Sequence, residues 1–337
     1  MTDNWKLKNV YLHITEKCDH SCEFCYASDG LGGFQDADID TIKKIIDEVS
    51  KSKIENISIV GGNPVLHSKI KEILEYLKEN TNMRVILMTN TACFQKNSIE
   101  EMSKYVDSVM VTIHGADSNS HDKICRVEGA YSKLVENLTL FQNEGVSIQI
   151  AYNITPYSFD SLLTSVISLI EKGLKLDRVV LQRIAPTSKT KLNEEYAVNA
   201  EQVNVALAQM YKVKNELNIE TELVDPFPLC FVDEQFWNLI TPCKCGISDL
   251  SINGEGDVSR CGADPTYQMG NILKTPINEL WTNAKELCDF RNNTHLPEEC
   301  KTCVHKDICR GGCVISCIMY NSLNRSHLEM FRKETAK

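Results

Sequence analysis

The distribution of cysteine constrains this chain of 337 residues more than any other feature of its sequence. Three of the 15 cysteines lie within eight residues, at Cys18, Cys22 and Cys25, and nine more lie between Cys243 and Cys317. The N-terminus carries no secretory signal, so we do not expect disulfides of an oxidising compartment. Clustered thiols in such a chain indicate metal binding or redox chemistry. The chain therefore divides into a part with one thiol loop and a Cys-rich part that we expect to fold around metal.

Composition and charge exclude several classes of function. Lys and Arg number 36 against 46 Asp and Glu, a net charge of −10, and no basic run could follow a phosphate backbone. We therefore expect no nucleic-acid partner. No apolar stretch approaches the length that spans a bilayer, so we expect no membrane partner and a cytoplasmic location.

Short β-type runs alternate with amphipathic helical segments over the first 185 residues. Ile42, Ile45, Ile46 and Val49 repeat at helical spacing, with Asp38 or Asp40 available as the N-cap. The predicted strands are Asn9–Ile14, Ile54–Val60, Arg84–Thr89, Ser108–Ile113, Ser147–Tyr152 and Arg178–Arg183. This alternation predicts an α/β fold with parallel crossovers, either an open six-stranded barrel or a doubly wound sheet.

The first thiol group follows the first predicted strand directly, with the spacing C-x3-C-x2-C at Cys18, Cys22 and Cys25. The C-terminal ends of parallel strands are where α/β folds place their chemistry. Three thiolates on one loop can hold three irons of a cubane cluster and leave the fourth iron without a protein ligand. The alternatives are a zinc site with His20 as the fourth ligand, and incidental thiols.

This loop, with the aromatic Phe24 before its last cysteine, resembles the radical SAM (S-adenosylmethionine) superfamily. The resemblance implies a partial (β/α)6 barrel in which Cys18, Cys22 and Cys25 hold a catalytic four-iron cluster. It also implies that S-adenosylmethionine binds the open iron and is cleaved by one electron to a 5′-deoxyadenosyl radical, which removes a substrate hydrogen.

The same resemblance extends to other candidate cofactor-binding residues. The turn after the second strand is similar to the family's GGEP segment, which lines the amino group of S-adenosylmethionine. Asn63 stands where the family has Glu, a departure that leaves the charged contact open. The residues of this segment are Gly61, Gly62, Asn63 and Pro64.

The fourth strand and the segment after it resemble the family's S-x-D-G…H-D-x-x-R pattern. Thr112 keeps the hydroxyl, and Arg126 keeps the cation that would clamp the carboxylate of S-adenosylmethionine, although an ordinary surface Arg is the alternative. His114 replaces the acid. The resemblance also makes Asn153 a candidate ribose contact, and Asn90 is either a turn residue or a contact.

The C-terminal cysteines resemble the SPASM pattern, which carries two auxiliary four-iron clusters. Paired zinc knuckles are the alternative. The resemblance assigns one cluster to Cys243, Cys261 and Cys313, with Cys245 as a candidate fourth ligand, and the other to Cys300, Cys303, Cys309 and Cys317. The gap before Cys317 is short and Cys245 is close to Cys243, so Cys230 and Cys288 are reserve ligands. Three four-iron clusters and S-adenosylmethionine are thus the expected cofactors.

The predicted domains are a radical SAM barrel at 1–195, a bridging helix and linker at 196–240, and a SPASM domain at 241–337. The helix is expected at Asn199–Asn218, and a β-hairpin at about 250–258. Only 17 residues precede Cys18, too few for a leader-binding domain. We therefore expect a peptide substrate found unaided or through a separate leader-binding protein, and a flavodoxin- or ferredoxin-type electron donor.

Three functions remain open at this point. The first is a radical SAM maturase that cross-links a ribosomally made peptide. The second is a radical SAM oxidoreductase for a small metabolite or tetrapyrrole, or a formylglycine-type maturase; Gly262, where those maturases have Asp after the cysteine, argues against the last. The third is a metal-binding or electron-transfer protein without enzymatic activity.

Overall fold

The computed structural model describes residues 5–25, 35–184, 196–263 and 269–316, and these residues contain one sheet of ten strands. The strands lie in the order β10-β9-β8-β1-β2-β3-β4-β5-β6-β7, and β1 to β7 run parallel. Their bounds are β1 Asn9–His13, β2 Asn56–Val60, β3 Arg84–Met88, β4 Ser108–Ile113, β5 Ser147–Ile154, β6 Arg178–Arg183, β7 Glu220–Val224, β8 Asp249–Ile252, β9 Asp257–Ser259 and β10 Gly270–Asn271. The six strands predicted from the sequence are confirmed.

Helices connect the strands of the parallel sheet and continue into the Cys-rich region. They are α1 Ile39–Ser50, α2 Ile70–Asn80, α3 Lys96–Met102, α4 Ser118–Cys125, α5 Ala130–Asn143, α6 Leu162–Glu171, α7 Ala200–Asn215, α8 Ile277–Asn283, α9 Lys285–Arg291, α10 Glu298–Lys301 and α11 Lys306–Cys309. Of the two candidate N-caps of α1, Asp38 is the one used, because its carboxylate accepts a hydrogen bond from the Thr41 backbone N–H at 2.9 Å.

The two faces of the parallel sheet have different surroundings. Alternate strand residues such as Leu12, Ile59 and Val111 are buried in the core that the sheet shares with the helices. A separate apolar cluster of Met110, Ala151 and Val180 occupies the opposite face. That face is the interior of an open α/β barrel, and we call it the lumen.

The strand β7 was missed by the sequence analysis, which predicted only a helix and a linker over 196–240. It pairs with β6 in parallel and extends the sheet. Its acidic residues obscure the β pattern, but Glu222 is only 11% exposed and forms ion pairs with both Arg178 and Lys244. Since Lys244 lies just before β8, these pairs connect the two ends of the open barrel. The domain boundaries at 195/196 and 240/241 stay predictions.

The predicted β-hairpin is confirmed as β8 and β9, and it joins the same sheet as the barrel. β8 runs parallel to β1 from Asn9↔Asp249 to Leu12↔Ile252, and β9 returns antiparallel to β8. The Cys-rich region is therefore attached to the barrel by backbone hydrogen bonds. Within the described ranges, no helix combines the length and the apolar character that crossing a membrane requires.

Replacing Glu222 by Gln should destabilise the protein more than replacing its neighbour Glu220, which is 71% exposed and contacts Arg178 at 3.6 Å. Losing the buried charge leaves Arg178 and Lys244 without their common partner, at a cost of about 2 kcal/mol. The exposed pair should contribute less than about 1 kcal/mol. Thermal unfolding of both variants measures this, and equal midpoints would contradict the role of Glu222 in closing the barrel.

Candidate functional site

The loop that carries Cys18, Cys22 and Cys25 follows β1 and packs tightly on the turn after β2. We call residues 14–25 the cluster loop. The backbone N–H of Gly62 donates to the carbonyl of Thr15 at 2.9 Å. A Cβ added at Gly61 would lie 2.4 Å from the Thr15 carbonyl oxygen, and one at Gly62 would lie 2.3 Å from that of Lys17. Both predicted glycines are therefore needed for this close approach of two backbones.

The other side of the cluster loop is attached to the end of α4. The backbone N–H groups of Ser21 and Glu23 donate to the carbonyls of Cys125 and Ile124, at 3.2 and 3.3 Å. Arg126 follows α4 in the left-handed conformation, with φ +56°, and its guanidinium lies 3.6 Å from the Glu23 carboxylate. The predicted carboxylate clamp thus lies directly beside the cluster loop.

The three thiols of the cluster loop have unequal surroundings. Cys18 is exposed, and its sulfur accepts a hydrogen bond from the backbone N–H of His20 at 3.5 Å. Cys22 faces inward, where the hydrogen bond from the Cys125 thiol lowers the pKa of the Cys22 thiol. Three sulfurs on one anchored loop, one of them open to solvent, fit the predicted iron–sulfur cluster.

The alternative zinc set has some geometric support, but it differs from the one expected from the sequence. Ligand atoms of His20, Cys22 and Cys125 lie within 4.8 Å of one another, a group that requires Cys125 from α4. This set uses only one of the three cysteines of the loop. It therefore leaves the spacing of Cys18 and Cys25 unexplained, whereas the cluster uses all three.

Aromatic rings surround the predicted cofactor-binding residue Phe24. Its ring makes edge contacts with His114 at 5.4 Å and Tyr196 at 5.3 Å, and His114 stacks on His121 at 5.2 Å. Burial lowers the pKa of His121 to about 3 and so keeps it neutral. Phe24, only 7% exposed, therefore anchors the loop within this aromatic group.

The other predicted contacts lie at the C-terminal ends of the parallel strands. Pro64 begins a short 3-10 helix after the β2 turn, with Asn63 before it. Thr112 and Asn153 are half-buried residues near the ends of β4 and β5, and the two strands pair with Thr112 opposite Ala151. The strand order thus brings these residues to one edge of the barrel, as the resemblance implies. Their roles as S-adenosylmethionine contacts stay predictions.

Asn63 is fully buried, and its side-chain amide joins three loops. Its oxygen accepts from the Thr89 hydroxyl at 2.7 Å, while its nitrogen donates to Asp19 at 2.9 Å and to Asn90 at 2.8 Å. The Asn90 amide donates to the same oxygen of Asp19 at 2.7 Å. Sequence analysis missed Asp19, although it is the residue directly after Cys18.

The first SPASM group is brought together beside the lumen. Cys243, Cys245 and Cys261 are close enough for hydrogen bonds between their thiols, and the bond from Cys245 lowers the pKa of the Cys243 thiol. Cys313 is buried and lies near Cys243. Cys245 thus lies beside Cys243 and Cys261, and its assignment as the fourth ligand stays a prediction. Four sulfurs from three segments of the chain fit a closed cluster site.

The second SPASM group contains an additional thiol. Burial raises the pKa of the Cys300 thiol to about 11, and Cys309, Cys230 and Cys303 contribute to the same rise. The backbone N–H of Leu229 donates to the Cys309 sulfur at 3.4 Å, which brings the reserve ligand Cys230 beside this group. Cys317 lies outside the described residues.

Two family models match this chain, and each match contains one of its groups of cysteines. The Radical SAM superfamily model matches residues 12–162. The SPASM model, an iron–sulfur cluster-binding domain, matches residues 243–304. The first match contains the cluster loop, and the second contains the hairpin and most of the C-terminal cysteines.

Similar proteins span nearly the whole chain. The AdoMet-dependent heme synthase of Methanosarcina barkeri is 22% identical over 88% of this chain and 88% of its own length. The mycofactocin maturase MftC of Mycolicibacterium smegmatis is 23% identical over 89% of this chain and 76% of its own.

Among solved structures, that of Streptococcus suis SuiB bound to precursor peptide SuiA matches with a TM-score of 0.75 and 17% identity. The match covers 97% of this chain and 76% of that one, and at this identity it shows a common fold. The two domain matches and this fold agree with the cluster loop and the Cys-rich hairpin region. The chain therefore belongs to the radical SAM superfamily, in the branch whose members carry a SPASM iron–sulfur cluster-binding domain.

Proposed function

We propose that this radical SAM enzyme oxidatively modifies a ribosomally made peptide, for example by forming a thioether or another cross-link. The observation that carries the proposal is the position of the first SPASM thiol group beside the lumen. Tyr11 of β1 is half-buried there, and Cys245 lies close enough to contribute, after desolvation and Asp249, to raising the pKa of Tyr11. Such a group supports an oxidation, because it can hold an electron acceptor next to the substrate.

Different residues of the chain would serve different roles in such a reaction. Cys18, Cys22 and Cys25 would hold the catalytic cluster, and the backbone at Gly61 and Gly62 would line its cofactor. S-adenosylmethionine with the reduced cluster supplies, when bound, a carbon radical that removes a hydrogen atom from the substrate. An oxidised product then requires acceptors for one further electron and one proton.

The apolar part of the lumen would help to exclude water from the reaction. Met110, Ala151 and Val180 form its apolar floor, with Met88 and Val224 packed against them. The SPASM thiol groups would hold the iron–sulfur clusters that can accept this electron, and an external flavodoxin- or ferredoxin-type donor would supply the electron that starts each turnover. A separate leader-binding protein is a further partner that this proposal allows.

The support for a peptide comes from the names of two similar proteins. SuiB is named in complex with a precursor peptide, and MftC is named a maturase. The second candidate is a tetrapyrrole substrate, favoured by the heme synthase, which matches over 88% of both chains. Both candidates require the same radical chemistry, so the substrate must be tested directly.

The substrate test is anaerobic incubation of the reconstituted enzyme with each small peptide encoded beside its gene and, in parallel, with iron-free and iron-loaded tetrapyrroles. A peptide substrate should lose the mass of about two hydrogens per modified site, as an oxidative cross-link requires. Intact-mass analysis followed by fragmentation locates the bond. Turnover of a tetrapyrrole, with every peptide unchanged in mass and configuration, would contradict the peptide proposal.

Replacing Cys18, Cys22 and Cys25 together by Ala should reduce 5′-deoxyadenosine formation to background, because the catalytic cluster loses its ligands. The auxiliary iron should remain bound. Chromatography of the nucleoside product and iron analysis measure the two effects. Cys288→Ala is the matched control, since this half-buried thiol donates only weakly to the Thr282 carbonyl at 3.8 Å. Continued cleavage in the triple variant would refute the assigned mechanism.

The second SPASM thiol group should bind a cluster in which Cys230 takes part. The complete protein should contain about twelve irons with equal sulfide, and Cys230→Ala or Cys300→Ala should each remove about four of them. Cys288→Ala should retain all of them. Iron and sulfide analysis with Mössbauer spectroscopy measures the content. Full iron in Cys230→Ala would exclude Cys230 from the ligand set, and zinc without sulfide would exclude clusters altogether.

A further inference from the structure

A buried thiol of α4 contacts the middle cysteine of the cluster loop. The backbone N–H groups of Ser21 and Glu23 donate to carbonyls in the last turn of α4, at 3.2 and 3.3 Å. These two bonds flank Cys22 and place it opposite Cys125, the last residue of the helix. The two sulfurs lie within 4.8 Å of each other and are joined by a hydrogen bond. Cys125 is only 1% exposed, so water does not compete for this contact.

The hydrogen bond between the two sulfurs can have only one direction when a cluster is bound. A cysteine that binds iron is a thiolate and has no proton to donate. Cys22 must therefore be the acceptor, and the S–H group of Cys125 must be the donor. The proton of Cys125 thus points at a ligand of the predicted catalytic cluster, although Cys125 lies outside the C-x3-C-x2-C spacing.

His121, one helical turn before Cys125, fixes the orientation of the donor. Its Nδ1 atom accepts a hydrogen bond from the backbone N–H of His114 at 3.2 Å. An accepting nitrogen has no proton, so the neutral ring carries its proton on Nε2. Nε2 lies 3.3 Å from the Cys125 sulfur and donates to it. Because Cys125 accepts from His121 on one side, its own proton is available for Cys22 on the other.

A hydrogen bond to a cluster ligand changes the reduction potential of the cluster. Reduction adds negative charge to the cluster and its sulfurs, and a donor stabilises the more negative state more strongly. The effect is greater at a buried contact, where water screens it little. We infer that Cys125 donates a hydrogen bond to the Cys22 ligand and thereby raises the reduction potential of the catalytic cluster, with His121 as a positioning residue.

This inference rests on the cluster that the proposed function assigns to the cluster loop, and it does not depend on the identity of the substrate. A higher potential makes the cluster easier to reduce by the external electron donor. The contact therefore bears on the step that precedes the cleavage of S-adenosylmethionine, and it can be measured without substrate.

The test is a redox titration of the anaerobically reconstituted full chain, followed by electron paramagnetic resonance. The signal of the catalytic cluster is the one that is missing from the Cys18, Cys22 and Cys25 triple variant. Cys125→Ala should make its reduction about three- to tenfold less favourable. At 59 mV per tenfold change for one electron, this is a fall of about 30–60 mV. The signals of the other clusters and the iron content should not change.

Two variants serve as matched controls for Cys125→Ala. Cys125→Ser keeps a donor at this position and should have a potential closer to that of the unsubstituted protein. Cys93→Ala removes an exposed thiol on the other side of the cluster loop, where its sulfur accepts from the Asn63 amide at 3.4 Å. This control should leave the potential of the catalytic cluster unchanged.

His121→Phe tests whether the imidazole acts through Cys125. Phe keeps an aromatic ring against His114 but has no donor for the Cys125 sulfur. The potential should fall by less than in Cys125→Ala, and combining the two substitutions should give no further fall. Additive falls would show that His121 acts on the cluster independently of Cys125 and would overturn its positioning role.

Four results would overturn the inference or its basis, and they are distinguishable. An unchanged potential in Cys125→Ala at full iron content refutes the hydrogen bond as a determinant of the potential. Loss of about four irons from this variant shows that Cys125 is itself a cluster ligand. Zinc at the His20, Cys22 and Cys125 group replaces the cluster reading of the loop. If no signal is missing from the triple variant, the catalytic cluster itself is refuted.

A further variant keeps the test decisive if Cys125→Ala does not fold. Cys125→Val fills a similar volume in the buried site and offers no donor. It should show the same fall in potential as expected for Cys125→Ala, with full iron content. A potential equal to that of the unsubstituted protein would then count against the inference.

Discussion

Backbone hydrogen bonding on both edges of β1 is the constraint on which this structure depends. One edge pairs with β2 of the barrel, and the other pairs with β8 of the Cys-rich region. A central strand of this kind has no free edge and is difficult to displace. The cluster loop begins where this strand ends, so the position of its first residues is fixed by a strand that is paired on both edges.

The six barrel strands could be predicted because each combines β-branched residues with a clear break before the next helix. The N-cap of α1 could be narrowed to two acids, and the structure uses Asp38. β7 could not be predicted in the same way, because its two glutamates give it the polarity of an exposed loop segment. Their partners come from β6 and from the segment before β8, and no local pattern reveals contacts over such distances in sequence.

The residues of the candidate site could be predicted from the sequence only in part. Spacing identified the thiols of the cluster loop, because the chemistry needs short, fixed separations, and the family resemblance identified the glycines after β2. Asp19 carries no such signal. It becomes significant only when Asn63 and Asn90, from two other loops, donate to it in the folded chain. Cys230, which the sequence offered only as a reserve ligand, is placed beside Cys300 by the packing of separate segments.

The contact between the barrel and the hairpin also limits how independently the two regions can move. His13, the last residue of β1, contacts the Ser251 hydroxyl of β8 at 2.9 Å. A Cβ added at Gly262, the residue after Cys261, would lie 2.8 Å from the same His13 ring. The thiols on the two sides of this contact are therefore connected through one strand pair and one buried imidazole. Because packed interiors of this kind deform little, the separation between the cluster loop and the first SPASM thiol group is set by the register of β1 and β8.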